Sequence, residues 1–343
     1  MNMKTLLGTA AGLMVATSAY AADLPGDAVP AAVDYVKVCD AFGAGFFYIP
    51  GTETCLKLSG RVRAAATYDT DFKNGAVTAD AIRFKVDGRV AFDARTASDI
   101  GTVRSFFQTD LSGSNLTLGD TFIQVGFLTV GKLGDVANGT TAYGVNDVLW
   151  SEFDKGGVGA DVMFDKLGGG FYVGASVRSF DSTNNVVWQD SVGTSLRLAG
   201  IVGIQGQPWG SADVSVIYGT DENNNLATTP LTADYWGVKA SSELKLIDKV
   251  SFLLSGIYID SDLDTKDKYG VFGAVKFAAT DSLAIYGGVG ETVFDKADDI
   301  ITAQIGAQYT LAPGLIANAE VLYNDGQSYD DNFSGILRLT RNW

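Results

Sequence analysis

From Leu56 to Trp343 apolar and polar residues alternate with a period of two, and few folds satisfy that pattern over so long a stretch. In LKLSGRVRAAATY, Leu56, Leu58, Val62, Ala64 and Tyr68 fall on one side, and Lys57, Ser59, Arg61, Arg63 and Thr67 on the other. AIRFKVDGRVAFDAR repeats the division, with Ile82, Phe84, Val86, Val90 and Phe92 set against Arg83, Lys85, Asp87, Arg89 and Asp93. Successive side chains of a strand point to opposite faces, so each segment is a strand with one apolar and one wet face. A soluble sandwich would show the same alternation, and the connections have to separate the two.

The pattern predicts strands at 56–68, 81–95, 99–110, 120–126, 127–133, 157–166, 171–180, 192–203, 210–219, 234–246, 249–260, 268–279, 282–291, 300–311, 315–324 and 333–343. Every second joint is short, such as TAS at 96–98, a break near Gly126, LGGG, LID and PG. The alternate joints are longer and polar: 69–80, 111–119, 134–156, 181–191, DENNNLATTPLTA, SDLDTKD, TVFDKADD and NDGQSYDDN. A sandwich would need Greek-key crossovers, whereas sixteen strands with short joints at one end describe an up-and-down transmembrane antiparallel β-barrel. The end of the chain agrees: Leu337, Leu339 and Trp343 share one face and close the sequence on an aromatic. The fold class is therefore all-β, with the barrel spanning 56–343.

The N-terminus reads as a secretory signal peptide over 1–21, with Lys4, an apolar run from Leu6 to Val15 and the small-x-small site Ala19-Tyr20-Ala21. No later stretch holds the roughly 20 apolar residues of a membrane helix. Export makes the two cysteines readable: in an oxidising compartment Cys39 and Cys55 are expected to pair, the other reading being two thiols packed as small hydrophobes. Closing that loop would contribute roughly 3 kcal/mol. The chain has no histidine, which removes Ser-His-Asp and Cys-His catalysis and His-ligated zinc. No cofactor, metal site or enzymatic activity is expected. A formal charge of −15 argues against nucleic acid as a partner. The acid-rich joints, such as DSDLDTKD, lack the glycine and terminal Glu of an EF-hand and read as solvated surface.

YVKVCDAFGAGFFYIPGTETCLKLSGRVR, from Tyr35 to Arg63, resembles the start of the alphaproteobacterial porin family. GILRLTRNW resembles that family's last strand, with Trp343 where a Phe is more usual. The resemblance implies a 16-stranded outer-membrane barrel, a homotrimer, passive diffusion of small hydrophilic solutes, and a long loop folded into the lumen. Here that constriction loop would be 131–157, the longest joint. Residues 22–55 would form a disulfide-clipped lead-in on the periplasmic side.

Strand parity puts Lys57, Arg61, Arg63, Arg83, Lys85 and Arg89 on the lumen wall, and the loop offers Asp135, Asp147, Glu152 and Asp154. A basic wall opposite an acidic loop would orient dipolar solutes at the narrowest ring. The expected site is thus Arg61, Arg63, Arg83, Lys85, Arg89, Asp135, Asp147 and Glu152, with the loop acids giving a weak cation preference. Outer-membrane lipids and lipopolysaccharide would surround the barrel. The alternative is a structural or adhesive barrel with an occluded lumen.

Overall fold

The computed structural model describes residues 37–74, 77–113, 115–145, 150–180, 195–223, 231–262, 267–326 and 329–343. The expected signal peptide and the first part of the lead-in lie outside them. The strands are β1 (Cys55–Asn74), β2 (Val77–Ser98), β3 (Gly101–Ser112), β4 (Asn115–Val125), β5 (Leu128–Gly134), β6 (Gly156–Phe164), β7 (Phe171–Phe180) and β8 (Ser195–Gln207). They continue as β9 (Gly210–Asn223), β10 (Leu231–Ile247), β11 (Val250–Ser261), β12 (Lys268–Ala278), β13 (Leu283–Phe294), β14 (Ile300–Ala312), β15 (Leu315–Gly326) and β16 (Tyr329–Asn342). Each pairs antiparallel with its sequence neighbours, and β16 returns to β1 from Ser334↔Asp69 to Asn342↔Arg61. The expected 16-stranded closed barrel is therefore present. Closure is what lipid demands, because a free strand edge there has no water to satisfy its N–H and C=O groups.

The alternation sets the faces as read. Phe84 is 84% exposed on the outside, and Ile82, Val86, Ile305 and Leu337 are exposed with it. Towards the long-loop end, outward rings turn their polar tips to carboxylates: Tyr68 donates to Asp80, Tyr218 to Asp234 and Trp236 to Asp260, each at 2.8 Å. Phe127 stacks on Phe164 at 5.0 Å at the other end. Tyr269 and Phe277 on β12 mark the two ends of the apolar band. At about 3.4 Å per residue and the usual strand tilt they are roughly 20 Å apart across the membrane.

Three joints differ most from expectation, one of them 324–332, where β15 runs to Gly326 and β16 starts at Tyr329. Residues 69–80 were expected as a loop, yet β1 runs to Asn74 and β2 starts at Val77, with the pairing shifted between Asp69 and Phe72. Likewise β3 reaches Ser112 and β4 begins at Asn115, so most of 111–119 is strand. A ladder of backbone hydrogen bonds needs no apolar side chain on either face once it has left the membrane.

The seam has its own fittings. Gly60 and Trp343 exchange backbone hydrogen bonds at 3.1 Å each way. The Trp343 ring lies over Gly60 so closely that a Cβ there would stand 2.3 Å from it, which requires glycine. Below Trp343 the edge of β1 is covered by a two-residue strand, Phe47–Tyr48, paired with Leu56 and Cys55. Cys39 and Cys55 form a disulfide with Cα atoms 6.0 Å apart.

Leu58→Arg and Phe84→Arg should each lower stability in lipid by about 2–4 kcal/mol, whereas Lys85→Glu on the opposite face should cost far less. Urea-driven unfolding in phospholipid vesicles measures the difference; equal losses would mean that the faces are misassigned.

Candidate pore constriction

β5 and β6 are the shortest strands of the barrel, with 7 and 9 residues, so the wall is abandoned part-way up and the chain turns inward over 135–145 and 150–155. The ends of the expected loop 131–157 remain in the sheet. Leaving a strand early frees its carbonyls, and fully buried Arg178 takes them up, donating to Leu133 at 3.2 Å and Gly134 at 2.7 Å. The neck is closed by Asp135 N–H donating to the Lys155 carbonyl at 2.9 Å.

At the root, Asp135 accepts from Arg197 Nε at 2.5 Å, and its other oxygen caps the short turn Val136–Asn138 through Ala137 N–H at 2.9 Å. Burial pushes the Asp135 carboxyl up, and Arg197 and the capping amide oppose that shift. The outgoing arm follows the wall. Lys239 donates to the Asn138 carbonyl, and Thr140 donates to Asp213 through its amide, at 3.1 Å, and its hydroxyl. Tyr143 donates to Glu243 at 3.1 Å and accepts Gln304 on its carbonyl at 2.9 Å. Burial, then Glu243, push the Tyr143 hydroxyl far above its ordinary value. Val145 N–H and Tyr286 both donate to Glu320, at 2.8 and 2.7 Å. Gly144 between these contacts has φ +99, and any Cβ there would collide with Glu320 and Tyr286.

The return arm lies beside it. Trp150 donates to Thr292 at 2.9 Å, Glu152 pairs with Lys268 at 2.5 Å, and buried Phe153 packs with Ala199, Ile217, Ile257 and Ile259. Burial would raise the Glu152 carboxyl, but Lys268 outweighs it and holds the group below its ordinary value. A second apolar contact joins Tyr143 to Leu253, Phe272, Ala274 and Tyr286.

Every one of these anchors belongs to β7–β15, which leaves the wall from β16 through β1 to β4 facing open lumen. Arg61, Arg63, Arg83, Lys85 and Arg89 stand on that wall. Arg63 and Arg61 share Asp87 at 2.8 and 3.8 Å, Arg89 pairs with Asp110 at 2.6 Å, Arg83 pairs with Asp69, and Lys85 is exposed. Of the expected loop acids, Asp135 does not face the opening: its side chain has 0% exposure because Arg197 and the cap enclose it. Glu152 is partly exposed but committed to Lys268, Asp154 is exposed, and Asp147 lies outside the described residues. Lys57 is turned to Phe46.

The anchors Arg178, Arg197, Lys239, Asp213, Glu243 and Glu320 were not singled out from sequence, nor was Arg338, whose Nε lacks a hydrogen-bond partner on the open wall. Parity could have found Arg338, opposite in face to Leu337 and Leu339. The loop-facing wall left another signal: apolar runs such as 216–218 in β9, where Ile217 is buried under the loop while Val216 and Tyr218 face out.

A family model described as "Porin subfamily" matches residues 23–338. Porin Omp2b of Brucella abortus (strain 2308) is 29% identical over 394 aligned residues that take in 100% of both chains. Among solved structures, OmpT of Vibrio cholerae in its trimer form matches with a TM-score of 0.65 at 13% identity, over 85% of this chain and 100% of that one. An anion-selective porin from Comamonas acidovorans matches with a TM-score of 0.62 at 13% identity, again over 85% and 100%. Likeness at such identity concerns the fold.

Arg197→Ala would leave Asp135 buried without its cation, an arrangement that costs about 3–5 kcal/mol. The loop should then come away from the wall and be cut within 135–155 by protease in otherwise folded barrels. The Glu152–Lys268 pair has a pH limit. A lowered carboxyl value means its contribution is full above the ordinary 4.5 and lost as pH falls through the lowered value. Acid should therefore loosen the return arm in wild type, and Glu152→Gln should remove that part of the pH dependence of proteolysis.

Proposed function

The chain belongs to the porin subfamily and is an outer-membrane channel, and from that premise we propose that it passes small hydrophilic solutes and ions by diffusion, with no chemical step. The observation that carries this reading is the one-sided docking of the loop. It narrows the lumen while the charged wall from β16 to β4 stays wet. A channel that selects by its narrowest ring needs that arrangement.

The short-turn end, with the lead-in and Trp343, faces the periplasm in this reading, and the long loops face outward. Residues 1–21 are removed on export. Three copies assemble through apolar outer faces, in keeping with the trimer form of OmpT of Vibrio cholerae. Arg61, Arg63, Arg83, Lys85 and Arg89, joined by Arg338, line the ring opposite the loop. Because Asp135 and Glu152 are held by Arg197 and Lys268, the ring itself leans towards anions, against the weak cation preference expected from the loop acids. Charges beyond a Debye length of about 10 Å at 0.1 M salt, such as the acidic outer loops, count for less.

Planar bilayers test both parts. Stepwise single-channel conductance is expected; a barrel that inserts but carries no current would favour the occluded, adhesive alternative. At low salt the reversal potential should show anion preference, and Arg61→Gln with Arg63→Gln should move it towards cations. No movement would mean that this wall does not control the ring.

A further inference from the structure

The disulfide-clipped segment does more than cover a strand edge. Lys57 and Arg95 point to the lumenal side of β1 and β2, where Lys57 stands opposite Asp93 and Cys55 opposite Arg95 in the pairing. Asp93 is held there by Arg95 at 2.7 Å and by Arg104 at 3.0 Å. The Phe46 ring lies over both cations, 5.9 Å from Lys57 Nζ and 4.8 Å from the Arg95 guanidinium carbon. Phe46 is 4% exposed, packed with the disulfide, Phe42 and Tyr48 on the lumenal side of β1 and β2. The turn is compact: Cys39 N–H donates to the Phe46 carbonyl at 2.9 Å, and Phe42 meets Phe46 edge-on at 6.2 Å. Gly45 lies against the Lys57 stem, where a Cβ would stand 3.5 Å from Cε. Asp40 is exposed on the same turn.

We propose that residues 39–46 are a second selectivity element, at the periplasmic mouth, in which the Cys39–Cys55 bond holds Phe46 over Lys57 and Arg95 and presents the Asp40 carboxylate in their place. The inference rests on the channel reading above. An aromatic face attracts a cation and takes one side of it out of water, so an ion entering from the periplasm meets the acidic turn before it meets either cation. The ring has few means of staying there on its own. Its backbone support is one short turn and the two-residue ladder of Phe47 and Tyr48 on β1, and the covalent tie to Cys55 further limits the conformations open to it. Cutting the tie or removing the ring uncovers Lys57 and the open face of Arg95, a change that favours anions.

The test compares reversal potentials across a low-salt gradient for the oxidised wild type, the Cys39→Ser/Cys55→Ser double variant and Phe46→Ala with its disulfide intact. Both variants should shift the anion-to-cation permeability ratio upward by about two-fold, a modest change because Arg95 stays paired with Asp93. Adding Lys57→Gln and Arg95→Gln to either variant should reverse that shift. Should the double variant fail to assemble, Phe46→Ala still decides, since it keeps the covalent tie. Conducting variant channels with the wild-type ratio would overturn the cap. An oxidised wild type without current would overturn the channel reading instead.

Discussion

The molecule depends on one pairing, that of β16 with β1. Fifteen hairpin contacts make a ribbon with two open edges, and in hydrocarbon each unsatisfied backbone group costs several kcal/mol. The closing ladder from Asp69 to Arg61 removes both edges at once. Its lower end shows how little slack is allowed. Where β16 ends at Asn342, Phe47 and Tyr48 take over the edge of β1, and the Trp343 ring closes over Gly60. Closure also fixes the side chains: with the backbone satisfied, the outer face must be apolar, and the inner face is free to carry charge.

That freedom creates a difficulty for the inserted loop. A wet, polar wall offers little apolar surface to hold it, and charge pairs do not make up the deficit. Desolvating Asp135 and Arg197 costs several kcal/mol per ion, which their attraction roughly offsets. Phe153, buried among Ala199, Ile217, Ile257 and Ile259, contributes on the order of 1.5–3 kcal/mol. The apolar clusters around Phe153 and Tyr143 therefore hold the loop down, while the pairs at Asp213, Glu243, Glu320 and Lys268 fix where it lies. Buried Asp213 would lose Thr140, and buried Glu320 would lose Val145, if the loop slid by one residue.

This division explains what the sequence made legible. Alternation is a local property, so the strands, the faces and the outward Leu337 and Leu339 could be read directly. The extent of β1 and β2 could not, because past the apolar band the pairing continues through residues 69–74 and 77–80 without needing an apolar side. The lumenal wall was half legible for the same reason. Arg61, Arg63 and Arg89 follow from parity. Whether a loop acid meets water depends on contacts across more than 60 positions, as between Asp135 and Arg197, and nothing beside Asp135 announces its partner. Ile217 and Phe272 did carry a signal, since a strand apolar on both faces in a polar lumen has something lying on it.

Counting charges along this chain therefore misjudges its ring. A formal charge of −15 suggests an acidic pore, yet the lumenal carboxylates are unequal in effect. Asp135 and Asp213 are consumed in placing the loop, Asp87, Asp69 and Asp110 are bound to arginines on the open wall, and Asp93 is held between Arg95 and Arg104. The open wall keeps exposed Lys85 and half-exposed Arg83, against the exposed Asp154 of the loop. A permeating ion responds to what remains unpaired within a few ångströms of its path, because in 0.1 M salt the field of anything beyond about 10 Å is largely screened. The contacts that put the loop in place thus also set the sign of the charge beside the opening, and changing one without the other would require a different set of anchors.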